Sequence, residues 1–178
     1  MRIIAGTRKG HTIYAPRGLD TRPTSDRVRE NVFNILGPLD GAAVLDLYAG
    51  SGAMGLEALS RGASRAVFVE RDRDAVRTIE RNLDKLRLSA TVLRQDAVTA
   101  LAAEAGVGRK YDLVLVDPPY GMYPEVQAKL ARYLPSVLAD EGVVVVETDA
   151  HVEPELPLPQ RTTRRYGQAR ITVFEAPT

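Results

Sequence analysis

Residues 42–55 read Ala-Ala-Val-Leu-Asp-Leu-Tyr-Ala-Gly-Ser-Gly-Ala-Met-Gly, and this stretch limits the possible folds more than any other. Residues 42–45 are apolar and predict a short buried strand with Asp46 at its carboxyl end; Gly50, Gly52 and Gly55 then turn the chain tightly into a helix. A strand, a glycine loop and a helix in that order place a ligand at the carboxyl edge of a parallel sheet. There glycine lets the backbone approach closely, and the helix N-terminus offers unpaired N–H groups. The bland alternative is a glycine turn closing an ordinary β-α unit.

The three glycines also match the dinucleotide fingerprint, a weak signal by itself. Asp46 separates the two readings. A pyrophosphate needs positive potential, and a carboxylate four residues before the first glycine would repel it. S-adenosylmethionine carries an ammonium and a sulfonium and no phosphate, so an acid at that place favours a methyl donor over a nicotinamide.

The strands that follow repeat the arrangement. Arg65-Ala-Val-Phe-Val-Glu70 is a second strand ending in an acid, placed to accept hydrogen bonds from ribose hydroxyls. Asp72 caps a helix whose Ala75, Val76, Ile79, Leu83 and Leu86 form an apolar stripe facing the core. Thr91-Val-Leu-Arg is a third strand, followed by Asp96, which could reach an adenine amine, cap the helix over 97–103, or do both. Residues 111–117 are a fourth strand, 125–134 an amphipathic helix and 142–147 a fully apolar fifth strand. Residues 152–160 hold three prolines and make a linker; 161–166 and 169–175 close the chain as a hairpin around Gly167-Gln168. Strands alternating with helices imply a parallel sheet covered on both faces, with the terminal hairpin adding antiparallel strands at one edge.

Ahead of this core, residues 2–6 and 12–14 read as a small basic β-hairpin. A loop over 16–23 leads to Thr24-Ser25-Asp26, which is N-cap chemistry for a helix over 26–36 ended by Gly37-Pro38. Val28, Val32, Ile35 and Leu36 put one face of that helix on the main body.

A length of 178 residues suits one domain with a small appendage. We divide it into an extension over 1–38 and a core domain over 39–178. Without cysteine there are no disulfides or thiolate metal sites, and His11 and His151 are too isolated to form a metal centre. No apolar run is long enough to cross a membrane and no signal peptide is evident, so a cytoplasmic protein is expected; a monomer is expected separately. The net charge of +1 hides an asymmetry. Residues 1–30 hold seven Arg/Lys against three acids, 161–178 hold four against one, and 31–160 hold thirteen against nineteen. Basic ends around an acidic middle suit a polyanion gripped by the termini and a cationic cofactor held by the sheet.

The chemistry falls on Asp117-Pro118-Pro119-Tyr120, delivered by the fourth strand to the same sheet edge as Asp46. An exocyclic amine on a base is a poor nucleophile because its lone pair is delocalised into the ring. Asp117 and the Pro118 carbonyl can each accept one amine hydrogen and hold the lone pair towards the methyl group. Pro118 and Pro119 stiffen the backbone, and Tyr120 offers a ring on which a flipped-out base can stack. Adenine N6, cytosine N4, guanine N2 and a glutamine amide all present this chemistry.

The loop at Asp46 and the Asp117-Pro-Pro-Tyr segment resemble the motifs of S-adenosylmethionine-dependent amino-methyltransferases. The start of the chain is more discriminating. Arg2-Ile-Ile-Ala-Gly, Gly10 and Arg22-Pro-Thr-Ser-Asp-Arg-Val-Arg-Glu-Asn-Val-Phe-Asn-Ile-Leu36 resemble the RsmD family, and the resemblance spans nearly the whole chain. It implies a Rossmann-like methyltransferase fold, a mostly parallel seven-stranded α/β sheet with helices on both faces and the N-terminal hairpin extension. It further implies methylation of guanine N2 in bacterial small-subunit ribosomal RNA, within a ribosomal particle. The donor site expected on this basis comprises Asp46, Gly50, Ser51, Gly52, Gly55, Glu70, Arg71, Asp96, Ala97 and Thr24. The catalytic residues are Asp117, Pro118, Pro119 and Tyr120; the RNA contacts are Arg2, Arg8, Lys9, Arg22, Arg164 and Arg165. At residues 8–11 the chain reads Arg-Lys-Gly-His, a looser match to the family's basic segment. A DNA or protein-amide methyltransferase using the same site is the alternative, with DNA disfavoured because about forty residues precede the core and leave no recognition domain.

Overall fold

The computed structural model describes residues 1–17 and 24–178. Five strands, β1 (Ala43–Leu47), β2 (Arg65–Val69), β3 (Thr91–Leu93), β4 (Tyr111–Val116) and β5 (Leu138–Asp149), pair in parallel. The hairpin of β6 (Gln160–Tyr166) and β7 (Ala169–Glu175) adds two antiparallel strands, giving the order β3-β2-β1-β4-β5-β7-β6. The sheet is therefore Rossmann-like and mixed, parallel up to β5. The order reverses between β1 and β4, and the crevice of such a sheet opens there, beyond the carboxyl ends of the strands.

Runs such as Val143 to Val146 are apolar at every position because both faces are covered. Val44, Phe68, Leu113, Leu115, Val143 and Val145 face α1 (Asp26–Leu36), α2 (Ala53–Ser60) and α3 (Arg73–Leu86). Leu45, Val67, Val114, Val116, Val144 and Val146 face α4 (Ala97–Gly106) and α5 (Tyr123–Val137). All five stripe residues of α3 are buried. Ser25 caps α1 by accepting from the Val28 amide, and Asp72 and Asp96 cap α3 and α4 in the same way.

Three elements differ from the sequence reading. β5 begins at Leu138, ahead of the expected Gly142, because Leu138 pairs with Tyr111 before a bulge around Glu141. α5 runs past Pro135 to Val137, whose burial secures the last turn. The N-terminal hairpin has the expected path, but its ladder is reduced to one bridge, Arg2 to Thr12. The reason is competition for donors: the Ile4 and Ala5 amides bond to the Glu57 carboxylate on α2 at 2.9 and 3.1 Å, and the Thr7 amide bonds to the Ser60 carbonyl at 2.8 Å. Ile3 and Ile13 meanwhile insert into the main core.

Glu57 and Arg29 are both fully buried. Arg29 donates to Asp26 at 2.8 Å and to the Arg2 carbonyl, and its Nε lies 3.5 Å from Glu57. Arg61 closes the group on Glu57 at 2.9 Å. This network joins the hairpin, α1 and α2 beneath the glycine loop.

Candidate active site

The carboxyl ends of β1, β2, β4 and β5, with the N-termini of α2 and α4, surround a cavity of about 720 Å³. Every expected cofactor residue borders it except Gly52 and Gly55, which shape the loop from behind. Gly52 caps α2 with φ +83, a left-handed conformation that glycine adopts without strain. Gly55 lies against the Phe68 ring, and an added Cβ would stand 2.8 Å from Cζ and 3.0 Å from an Asp46 oxygen. Gly55→Ala is accordingly expected to lower stability by about 1–3 kcal/mol and to weaken donor binding, read by thermal melting and by calorimetric titration.

Asp46 differs from its expected place at the strand end. It sits inside β1, only 4% exposed, and accepts from the Gly55 amide at 3.0 Å. Burial pushes its carboxyl up to about 8, opposed by the Gly55 hydrogen bond and reinforced by the nearby Glu70 charge. An adjacent cation would favour its ionised form. Glu70, just beyond β2, accepts from the Gly50 amide at 2.9 Å and the Asp72 amide at 2.8 Å. These bonds also bear on the choice of cofactor. The loop amides that a pyrophosphate would need at Gly50 and Gly55 are already bound to carboxylates, and the Gly52 amide donates to the Ala49 carbonyl. A phosphate finds acids and occupied donors here; an ammonium, a sulfonium and a ribose diol find acceptors.

Tyr48, between β1 and the glycines, has φ 58, a strained conformation for a bulky residue. Its hydroxyl and that of Tyr123 are buried at the cavity wall with no hydrogen-bond partner among the described residues. Burial holds both phenols above their usual range, Tyr48 at about 12, so both remain donors for a polar ligand. The sequence reading passed over both tyrosines. Asp96 lines the cavity while capping α4 through the Thr99 amide at 3.0 Å, so its two expected roles coexist.

Asp117 follows β4, Pro118 is buried, and Pro119 and Tyr120 are exposed. The Tyr120 ring is 88% exposed at the cavity rim. The register Val116 to Val146 carries Asp117 next to Glu147 on β5, a neighbour to which the sequence reading gave no role. An acid closing an all-valine strand at the same sheet edge was the signal for it. Burial, and then the Glu147 charge, hold Asp117 well above the usual carboxylate range. Burial also raises Glu147, which accepts from the Thr24 hydroxyl at 2.9 Å. Both carboxyls are therefore held above their usual range, and Thr24, which borders the cavity, also donates to Glu147.

Residues from both ends of the chain reach the cavity, Met1, Ala15 and Pro16 from the first and Gln168 and Ala169 from the last. Arg2, Lys9, Arg164 and Arg165 are exposed, and the last two have no ion-pair partner among the described residues. Arg8 is half-buried and donates to the Leu86 and Arg87 carbonyls at 2.6 and 3.3 Å, capping α3. Arg22 lies outside the described residues. No group of metal-ligating side chains occurs among the described residues, and no helix there is long and apolar enough to cross a membrane.

A mixed sheet of this order, with acids near successive strand ends around one cavity, is the fold of S-adenosylmethionine-dependent methyltransferases. The family described as Conserved hypothetical protein 95 matches residues 1–175. Ribosomal RNA small subunit methyltransferase D of Escherichia coli K12 is 40% identical over 161 residues, covering 88% of this chain and 78% of that one. YlbH of Bacillus subtilis is 40% identical over 186 residues, with 98% of each chain covered. The solved structure of yhhF from Escherichia coli superposes with a TM-score of 0.85 at 37% identity, covering 99% of this chain and 97% of that one. The chain belongs to the RsmD family of rRNA methyltransferases.

Proposed function

We propose that this chain transfers a methyl group from S-adenosylmethionine to the exocyclic N2 of a guanine in small-subunit ribosomal RNA. The observation that carries the reading is the Asp117–Glu147 carboxyl pair at the clamp. With at least one carboxyl ionised, such a pair presents more acceptors than donors. Guanine presents two adjacent kinds of donor, N1–H and the N2 amine, and suits such a pair. Guanine N2 also neighbours the N3 acceptor, but adenine N6 and cytosine N4 have no ring donor beside the amine, so only guanine offers an acceptor-rich pair a second donor. The E. coli relative's name supports the RNA substrate.

When bound, S-adenosylmethionine supplies an electrophilic methyl carbon on a sulfonium. Asp117 and the Pro118 carbonyl take the two amine hydrogens, which leaves the nitrogen lone pair directed at that carbon. The methyl carbon would pass to that lone pair, the sulfur keeping the electrons of the C–S bond. Positive charge develops on the nitrogen beside the carboxyl pair, which stabilises it and accepts the departing proton. Tyr120 stacks on the base and excludes water.

Asp46, Glu70 and Asp96 hold the donor's ammonium, ribose and adenine. Because a bound cation favours ionised Asp46, binding is expected to release a proton and to tighten as the pH rises from about 6 to 7.5. Titration in buffers of different ionisation enthalpy measures the release, and Asp46→Asn is expected to flatten it.

Mass mapping of small-subunit RNA after incubation with the protein and S-adenosylmethionine tests the substrate. A methyl group on guanine N2 supports the reading. A methyl group on adenine, cytosine, DNA or a protein amide overturns it.

A further inference from the structure

Tyr14 lies outside the catalytic cavity, on the N-terminal segment. It is 41% exposed. The Arg81 guanidinium stands 4.2 Å from its ring centroid and the Lys85 ammonium 4.9 Å, so two cations on successive turns of α3 flank one aromatic ring. The position of the ring is fixed from below by Asn82, which is fully buried. Asn82 accepts from the Tyr14 amide at 2.7 Å and donates to the Tyr14 carbonyl at 3.0 Å, and donates also to the Ser51 carbonyl at 3.0 Å. One amide side chain thus pins the platform to the glycine loop of the donor site.

The surroundings are basic. Arg77, Arg81 and Lys85 recur every fourth residue and so stand in a row along α3, all exposed and with no ion-pair partner among the described residues. Lys85 also donates to the Thr12 hydroxyl at 2.7 Å, and Arg8 and Arg87 extend positive charge beyond the helix end. Asp74, Glu80 and Asp84 are the acids of the same helix. The surface is continuous with the reaction site, since Ala15, Pro16 and Ser51, adjacent to Tyr14 or joined to it through Asn82, border the cavity.

An exposed ring backed by cations stacks a base, and a row of cations one helical turn apart holds successive phosphates. We propose that Tyr14 is a stacking platform for an unpaired nucleotide near the methylated base, with Arg77, Arg81 and Lys85 binding the phosphates beside it. This rests on the RNA reading given above. It assigns RNA contact to α3, beyond the terminal arginines.

The test measures binding of protein-free small-subunit rRNA by the full chain over a range of salt, alongside S-adenosylmethionine affinity. Tyr14→Ala is expected to weaken RNA binding about tenfold and Tyr14→Phe by less than about twofold, because the ring alone is required. Changing Arg77, Arg81 and Lys85 together to alanine is expected to reduce the salt slope by about 2 to 3. Retained S-adenosylmethionine affinity in each variant shows that Asn82 and the glycine loop are intact. Unchanged RNA affinity and salt slope in all variants would overturn the proposal. So would a loss seen only with assembled subunits and not with protein-free RNA, which would make the partner a ribosomal protein. If methyl transfer to small-subunit RNA is absent in the parent chain as well, the underlying functional reading fails, a result distinct from either of these.

Discussion

Asp117→Ala is expected to lower methyl transfer to RNA by about a hundred- to a thousandfold while S-adenosylmethionine affinity stays within a few-fold of the parent. Removing one of the two acceptors frees the amine to rotate, so the lone pair returns to the ring and orientation is lost at the reacting atom. The carboxyl pair makes the expectation more specific. Asp117→Asn keeps an acceptor oxygen but removes the charge beside the developing cation, and it should recover only part of the rate. Glu147→Gln leaves Asp117 without its anionic neighbour, so the Asp117 carboxyl should titrate closer to the usual carboxylate range. The pH dependence of kcat for Glu147→Gln should then shift to lower pH, which a merely structural role for Glu147 would not produce. Single-turnover transfer of labelled methyl over a pH series measures all three variants. Full activity in Asp117→Ala would remove the clamp from the mechanism.

Glu57→Ala is expected to destabilise the fold by about 3–5 kcal/mol, enough to leave a marginal domain largely unfolded. The change strands Arg29 in the core, deprives Arg61 of its partner, and leaves the Ile4 and Ala5 amides without an acceptor. Chemical denaturation measures the loss. Glu57→Gln keeps an acceptor for one amide and should lose less. Because the Ile4 and Ala5 amides bond to Glu57 while Thr7 and Arg8 bond to Ser60, native-state hydrogen exchange at Ile4 and Ala5 should quicken first. A Glu57→Ala chain as stable as the parent would show that Ile3, Ile13 and the Ser60 hydrogen bonds suffice to dock the hairpin.

Much of the architecture was legible because it is written locally. Strand ends marked by acids, glycines at a turn, Ser25, Asp72 and Asp96 at helix starts and the α3 stripe each depend on neighbours a few residues away. The features that escaped depend on partners remote in the chain. Thr24 and Glu147 are 123 residues apart, and Asp117 meets Glu147 only because β4 and β5 pair in a particular register. Arg8 was expected to contact RNA, yet α3 ends where its guanidinium caps the carbonyls of Leu86 and Arg87. Arg29 lay within a helix whose apolar face was evident, but its burial required an acid on α2 to compensate the charge.

The amino-acid order alone determined which segments alternate as strands and helices, where the donor loop and the clamp fall, and that both lie at strand ends. These follow from side-chain period and backbone preference, which act over one or two turns of chain. Tertiary structure decided the electrostatics. It buried Asp46 so that its carboxyl is held above the usual range, set Glu147 beside Asp117, and satisfied the loop amides with carboxyl oxygens. Desolvation and charge coupling depend on distance through space, and that distance is fixed only when the sheet is assembled.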